Sequence, residues 1–283
     1  MPTRLNPLYP LTLSACLLSS LLPAQAALPE DSVSLRDIPG VSFRTMSGEK
    51  PLEEYWLPMD GLAILDQGMH CDCAYCACAA ARSLLSLSMA KECGLPLKLK
   101  NYSYTFLRNL HMAKKTCCSG TEWCCPATIS DVLRIMKSRG ICTEKQFPND
   151  LNCDVSVGSR DTSGAWNNRI SGFRYIKIYG PATSAENIAE IKDAIARGNP
   201  VIAGIYAPAD FEICPDGQKT WRMPDNPQTL KYHAVVVTGY NAGFFRVLNS
   251  YGADWCDGGS AFIPINDFMR MYAIGFVIDW ECP

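Results

Sequence analysis

Four cysteines stand within eight residues in the stretch LDQGMHCDCAYCAC (residues 65–78), directly behind a Gln-Gly pair. Thiols this dense can cage a metal, staple a loop, act as a redox pair or supply one reactive nucleophile. The cluster Cys71, Cys73, Cys76 and Cys78 has ligands enough for zinc, but zinc sites usually draw their ligand pairs from separated segments. Cys73-Ala-Tyr-Cys76 has the spacing of a thioredoxin-type pair, which also begins a helix. Neither reading involves the other end of the chain, where a base is found.

The chain has three histidines, His70, His111 and His233. His233 opens the strand-like run YHAVVVTGY, and the next such run ends in Asn249, within RVLNSYGADWCDGG. On neighbouring antiparallel strands, an Asn carbonyl held against one ring nitrogen fixes the tautomer and aims the other nitrogen outward. A thiol at a helix start feels the positive end of the macrodipole, and a nearby imidazolium favours its thiolate. The cysteine's own N–H and a Gln amide can receive the oxyanion that a nucleophile creates. Gln67, a helix-start cysteine, His233 and Asn249 therefore form a set suited to attack on an amide carbonyl. The bland reading of His233 is a satisfied core histidine on an apolar strand. His70 is expected in a loop near the site, and His111, in RNLHMAKK, on a helix or at the surface.

These residues need elements to hold them. Residues 74–91 are rich in Ala, Leu, Ser and Met without Gly or Pro, which predicts a buried helix behind the cysteine cluster. ATISDVLRIMKSRG places Val132, Leu133, Ile135 and Met136 on one helical face, with Gly140 at the stop. In SAENIAEIKDAIARG, Ser184 can cap a helix striped by Ile188, Ile191 and Ile195 and ended by Gly198. Beyond it, PVIAGIY, HAVVVTGY, FFRVLN, SAFIPI and YAIGFVI read as strands. Helices in the first half and strands in the second predict an α+β fold of two lobes with the site in the cleft between them.

At this point the sequence resembles the papain-like cysteine peptidases, a known example of Cys-His-Asn catalysis. The resemblance is carried by DQGMHCDC, by LRIMKSRGICTEKQFP, by NIAEIKDAIARGNPVIAGI and above all by HAVVVTGYNAGFFRVLNSYGADWCDGG. It implies a peptidase with Cys73 as nucleophile, His233 as base and acid, Asn249 orienting His233 and Gln67 in the oxyanion hole. The family's Gln precedes its nucleophile by six positions, which points to Cys73. Choosing Cys76 instead would restore a cysteine three residues back but stretch the Gln spacing to nine. The usual Trp after the nucleophile is replaced by Ala74, and the family's backbone-pairing Cys-x-Gly-Gly strip corresponds to CCPAT, with Pro126 and Ala127 in place of glycines. Tyr251 stands where the family has the Trp that shields the Asn–His contact, and Trp255 fits either a cleft Trp or a core aromatic.

The whole chain sets the context. It has 283 residues, 48% hydrophobic and 19% charged, with net charge −2, and no basic run that would mark a nucleic-acid partner. Residues 1–26 read as a signal peptide: Arg4, an apolar stretch, then Ala24-Gln25-Ala26 as the cleavage site. LSAC, ending in Cys16, is an alternative lipobox. No other segment reads as a membrane span. Residues 27–59 are an irregular lead-in and residues 60–283 the catalytic domain. Export to the periplasm or medium makes most of the 15 cysteines disulfides by default. The expected protein is an exported, disulfide-rich thiol peptidase acting on peptide or protein substrates, needing no cofactor or metal. A disulfide-stapled binding module on the same fold, or an amidase or transferase using the same residues, stands as the alternative.

Overall fold

The computed structural model describes residues 39–41, 52–112, 127–150, 156–176 and 181–282. The signal-peptide and lipobox readings, Pro126, and Cys117, Cys118, Cys124 and Cys125 lie outside these residues.

The chain is organised around helix α1, Cys73–Glu92. Its sequence has no strongly polar face, so it is buried nearly all round, as an inner helix must be. Leu84 and Leu85 are fully covered, each burial contributing about 1.5–3 kcal/mol. Lys91 lies in the last turn, the chain leaves through Gly94 with φ +63°, and the Cys93–Cys282 disulfide ties this end to the C-terminus. At 20 residues α1 is also long and apolar enough to cross a membrane, contrary to the sequence expectation. The excess apolarity serves the protein core, since most of the helix is buried inside the molecule.

Three further helices pack around α1: α2 (Tyr104–Met112), α3 (Ile129–Ser138) and α4 (Ser159–Trp166). α3 is capped by Thr128, whose Oγ1 accepts from the Asp131 N–H at 3.1 Å. It stops at Gly140, whose φ of +84° excludes other residues cheaply; a Cβ there would lie 1.9 Å from the Ala165 carbonyl oxygen.

Among the described residues, eight strands form one sheet: β1 (Gly40–Val41), β2 (Tyr55–Trp56), β3 (Gly172–Ile176), β4 (Val201–Pro208), β5 (Leu230–Tyr240), β6 (Phe244–Leu248), β7 (Ser260–Pro264) and β8 (Tyr272–Asp279). Their order is β1-β3-β8-β4-β5-β6-β7, with β2 added to the end of β5; all pairings are antiparallel except β1 with β3. Parts of the lead-in thus join the sheet. Helix α5 (Ala185–Ala196), capped by Ser184 and ended by Gly198 at φ +78°, and helix α6 (Ile265–Met271) pack on it.

Strand β5 joins the two lobes. Ala234 and Val236 point into the core around α1, while Val235 and Val237 point into a second core with Val201, Phe211, Val247 and Phe268. This is the period-two alternation of a strand buried on both faces. The fold is α+β, with a helical lobe and a β-rich lobe meeting at β5.

Candidate active site

The cysteine cluster becomes a loop and a helix start. Gln67 to Asp72 form the loop, and the first helical hydrogen bond of α1 runs from Cys76 N–H to the Asp72 carbonyl at 2.9 Å. Cys73 is therefore the first helical residue, half-buried and packed against the helical core. Cys73, Cys76, Cys78 and Cys142 are thiols, while Cys71 is held in a disulfide. Among the described residues, no three His, Cys, Asp or Glu side chains converge as a metal site would require. Cys73, Cys76 and Cys78 are dispersed around the helix axis, which is what a helical spacing does to them, and Cys71 lies before the helix.

Cys76 faces inward. It is 1% exposed, and burial, more than its acidic neighbours, pushes its thiol pKa well above the ordinary range. A thiol so placed is a poor thiolate at neutral pH. Together with Ala77, Ala234, Asn249 and Ser250 it lines a small cavity between α1 and β5.

His233 lies on β5, and β6 runs beside it with Val236 opposite Leu248. Followed past Leu248, this register brings Tyr251 opposite His233 and Asn249 one same-face step away. The side chains meet accordingly. His233 Nε2–H donates to Asn249 Oδ1 at 2.8 Å, and the Ser250 N–H donates to the same oxygen at 2.8 Å. With Nε2 carrying the proton, Nδ1 is left as the acceptor and base. Tyr251 stacks on the imidazole at 5.0 Å with an interplanar angle of 14°, and Phe211 meets it edge-on. Trp255 is a core aromatic: 3% exposed, it packs on Phe211 and donates Nε1–H to the Phe211 carbonyl at 3.0 Å. The Cys214–Cys256 disulfide fastens this aromatic wall from behind. Burial holds the His233 pKa down at about 4, the Asn249 hydrogen bond opposing it only in part. The imidazole is thus neutral at neutral pH in this environment.

Gln67 links the helix start to the His233 strand pair. Its N–H donates to the Ser250 carbonyl at 2.9 Å, and its Oε1 accepts from Ser250 Oγ at 2.6 Å. The His70 carbonyl, which can only accept, decides the orientation of the amide: Nε2 faces the loop that leads to Cys73 and donates to that carbonyl at 2.6 Å. One N–H of the amide remains for another acceptor. Gln67, His233 and Asn249 are thereby connected through Ser250, and Cys73 follows on the same loop.

Ser250 was not foreseen from the sequence, although its place directly after Asn249 was a usable signal. The other unforeseen contact is a buried ion pair, Arg108 Nη1 to Asp72 Oδ2 at 2.9 Å, one residue from Cys73. His70 is buried in the loop, as expected near the site, and His111 ends α2 with Nδ1 2.6 Å from the Tyr75 hydroxyl.

Comparison with known proteins bears on the family and the fold. Residues 63–262 match the model of the Peptidase_C39 like family. No curated protein matches the chain. Among solved structures, xylellain, a cysteine protease from Xylella fastidiosa, superposes with a TM-score of 0.65 at 18% identity, covering 86% of this chain and 95% of that one. Procathepsin B S9 from Trypanosoma congolense gives a TM-score of 0.64 at 16% identity over 87% of this chain and 84% of that one. Digestive procathepsin L 3 from the larval midgut of Tenebrio molitor gives 0.62 at 17% identity over 86% and 73%. At these identities the structures speak for the fold, and the family match speaks for descent. The chain belongs to the Peptidase_C39 like family, and its fold is that of the papain-like cysteine peptidases.

Proposed function

We propose that the protein is an exported cysteine peptidase that hydrolyses peptide bonds through an acyl-enzyme. Cys73 attacks the carbonyl carbon, and its proton passes to His233 Nδ1. The Cys73 N–H and Gln67 Nε2 receive the oxyanion, and the imidazolium then returns the proton to the departing amine. Water, deprotonated by His233, hydrolyses the thioester and restores the thiol. The observation that carries this reading is the 2.8 Å hydrogen bond from His233 Nε2 to Asn249 Oδ1, which leaves Nδ1 as base beside a helix that begins with a thiol.

Magnitudes support a finely balanced Cys–His pair. An imidazole near pKa 4 and an ordinary thiol near 8.5 differ by about 4.5 units, so proton transfer costs about 6 kcal/mol. A thiolate and an imidazolium ~4 Å apart recover about 4 kcal/mol at an effective dielectric constant near 20. The helix N-terminus adds up to ~2 kcal/mol. The neutral and ion-pair forms are then close to equal, and small changes at the helix start decide between them.

Export fits the disulfides Cys93–Cys282 and Cys214–Cys256 and the disulfide-bonded Cys71, since such bonds persist in oxidising compartments. The test is peptide hydrolysis by purified protein. Cys73→Ala and His233→Ala should each abolish it while keeping the fold, and full activity in Cys73→Ala would overturn the proposal.

A further inference from the structure

The residue before the proposed nucleophile is an aspartate, Asp72, and it stands at the N-cap of α1. Asp is among the best N-cap residues because its carboxylate accepts from the first free N–H groups. Thr128 and Ser184 do this at α3 and α5. Asp72 makes no such bond. Its carboxylate is turned to Arg108 on α2, 2.9 Å away, and both side chains are almost fully buried, at 4% and 1% exposure. Arg108 is itself fixed, donating Nε–H to Asn109 Oδ1 at 3.0 Å and Nη2–H to the Asp150 carbonyl at 2.9 Å, with Tyr104 beneath the guanidinium.

We infer that the buried Arg108–Asp72 pair is a positioning device for the nucleophile: Arg108 draws the Asp72 carboxylate away from the N–H groups that open α1 and cancels its charge beside Cys73. This rests on Cys73 being the nucleophile. Two consequences of the geometry matter for the chemistry. The N–H groups of the first turn stay clear of an internal carboxylate, so the helix end acts on the thiolate and the oxyanion. The nearest anion to the thiolate is also neutralised, which otherwise would oppose its formation.

The charges already act on this turn. Asp72 raises and Arg108 lowers the pKa of both Tyr75 and Cys76, the two acting in opposite senses on the same groups. Burial raises the carboxyl pKa of Asp72 itself, while Arg108, by charge and by hydrogen bond, pulls it back, and His70 adds in the same direction. The other charged or titratable groups facing this turn are Asp66 from the loop, Tyr104 and His111 from α2, the latter with Nδ1 2.6 Å from the Tyr75 hydroxyl, and Asp131 from α3, with His233 of β5 added by the proposed mechanism. Arg108 forms the ion pair with Asp72 at 2.9 Å.

An unmasked charge about 7 Å from a thiolate shifts its pKa by about one to two units at an effective dielectric constant near 20. The test is the pH dependence of alkylation by iodoacetamide, mapped at Cys73, in the full-length mature protein. Arg108→Gln should raise the Cys73 pKa by about one to two units, Asp72→Asn should lower it, and the double variant should return close to the parent value. Peptide hydrolysis should show its acid limb moving in step. A packing role alone would change thermal unfolding without opposite-signed shifts. If Arg108→Gln does not fold, Asp72→Asn and the double variant still decide. An unshifted Cys73 profile in Asp72→Asn, or a double variant that does not return towards the parent, overturns the inference, whereas a parent protein in which Cys73 is not the reactive thiol overturns the reading of the site instead.

Discussion

Acidification should reveal how deeply His233 is embedded. Its imidazole has an ordinary pKa of 6.5 and is held at about 4 by burial in the folded chain. Between those values the unfolded chain binds a proton that the folded one refuses. The stability arising from this difference is fully present above about pH 6.5 and is lost as pH falls towards 4. A shift of about 2.5 units corresponds to about 3 kcal/mol, at about 1.4 kcal/mol per unit. His233 is only 5% exposed, so solvent discounts the figure little. The measurement belongs in a Cys73→Ala background, where no thiolate can pair with the imidazolium. Urea unfolding of Cys73→Ala and of Cys73→Ala/His233→Gln, compared across this pH range, cancels the titration of every other group. The chain with His233 should lose about 3 kcal/mol more than the one without it, between neutral pH and pH ~4. Parallel curves would refute the claim that desolvation controls this histidine. With Cys73 restored, a smaller loss would measure how far the thiolate offsets that desolvation.

Other outcomes follow from the same contacts. Asn249→Ala, which removes the 2.8 Å partner of Nε2, should reduce kcat/KM by about 10²-fold through misorientation of the imidazole, read in a steady-state peptide assay. Asn249→Asp puts a carboxylate at that distance and should move the acid limb of activity upwards from the value set by a pKa of about 4. Gln67→Ala should cost about 10²–10³-fold in kcat as an oxyanion donor is lost, and Ser250→Ala, which frees the Gln67 amide to rotate, should cost less with KM little changed. Gly140→Ala should destabilise by several kcal/mol in chemical denaturation, because its Cβ would meet the Ala165 carbonyl and its φ is +84°.

The sequence carried most of the scaffold because the elements that hold the site are strongly patterned. The buried helix, the capped helices at Thr128 and Ser184 and the five apolar strand runs all lie close to their expected places. α2, YTFLRNLHM, has an apolar face but is only nine residues long, and α4, with SRDTSGAW, has no comparable apolar signal. β1 and β2 are two residues each, too short for any periodicity to show, and depend on partners distant in sequence. The His233–Asn249 contact was legible because one short hairpin fixes both residues. The Asp72–Arg108 pair was not: 36 residues separate its members, and nothing local announces that a loop aspartate will be buried against an arginine. The apolar length of α1 suggests a membrane span only until its neighbours are known.

The choice between Cys73 and Cys76 was open in the sequence, and the proposal of Cys73 rests on where each thiol faces: one sits half-buried at the first helical position, the other is sealed inside with its pKa raised. The most direct measurement is therefore alkylation of the unreduced protein at mildly acidic pH, with the modified peptide mapped and residual peptidase activity followed on the same samples. An ordinary thiol is protonated and slow under those conditions. The account predicts one fast label at Cys73, loss of activity in step with it, and slow labelling in His233→Ala. A fast label at Cys76, or an unreactive helix start in a protein that still hydrolyses peptide, would contradict it.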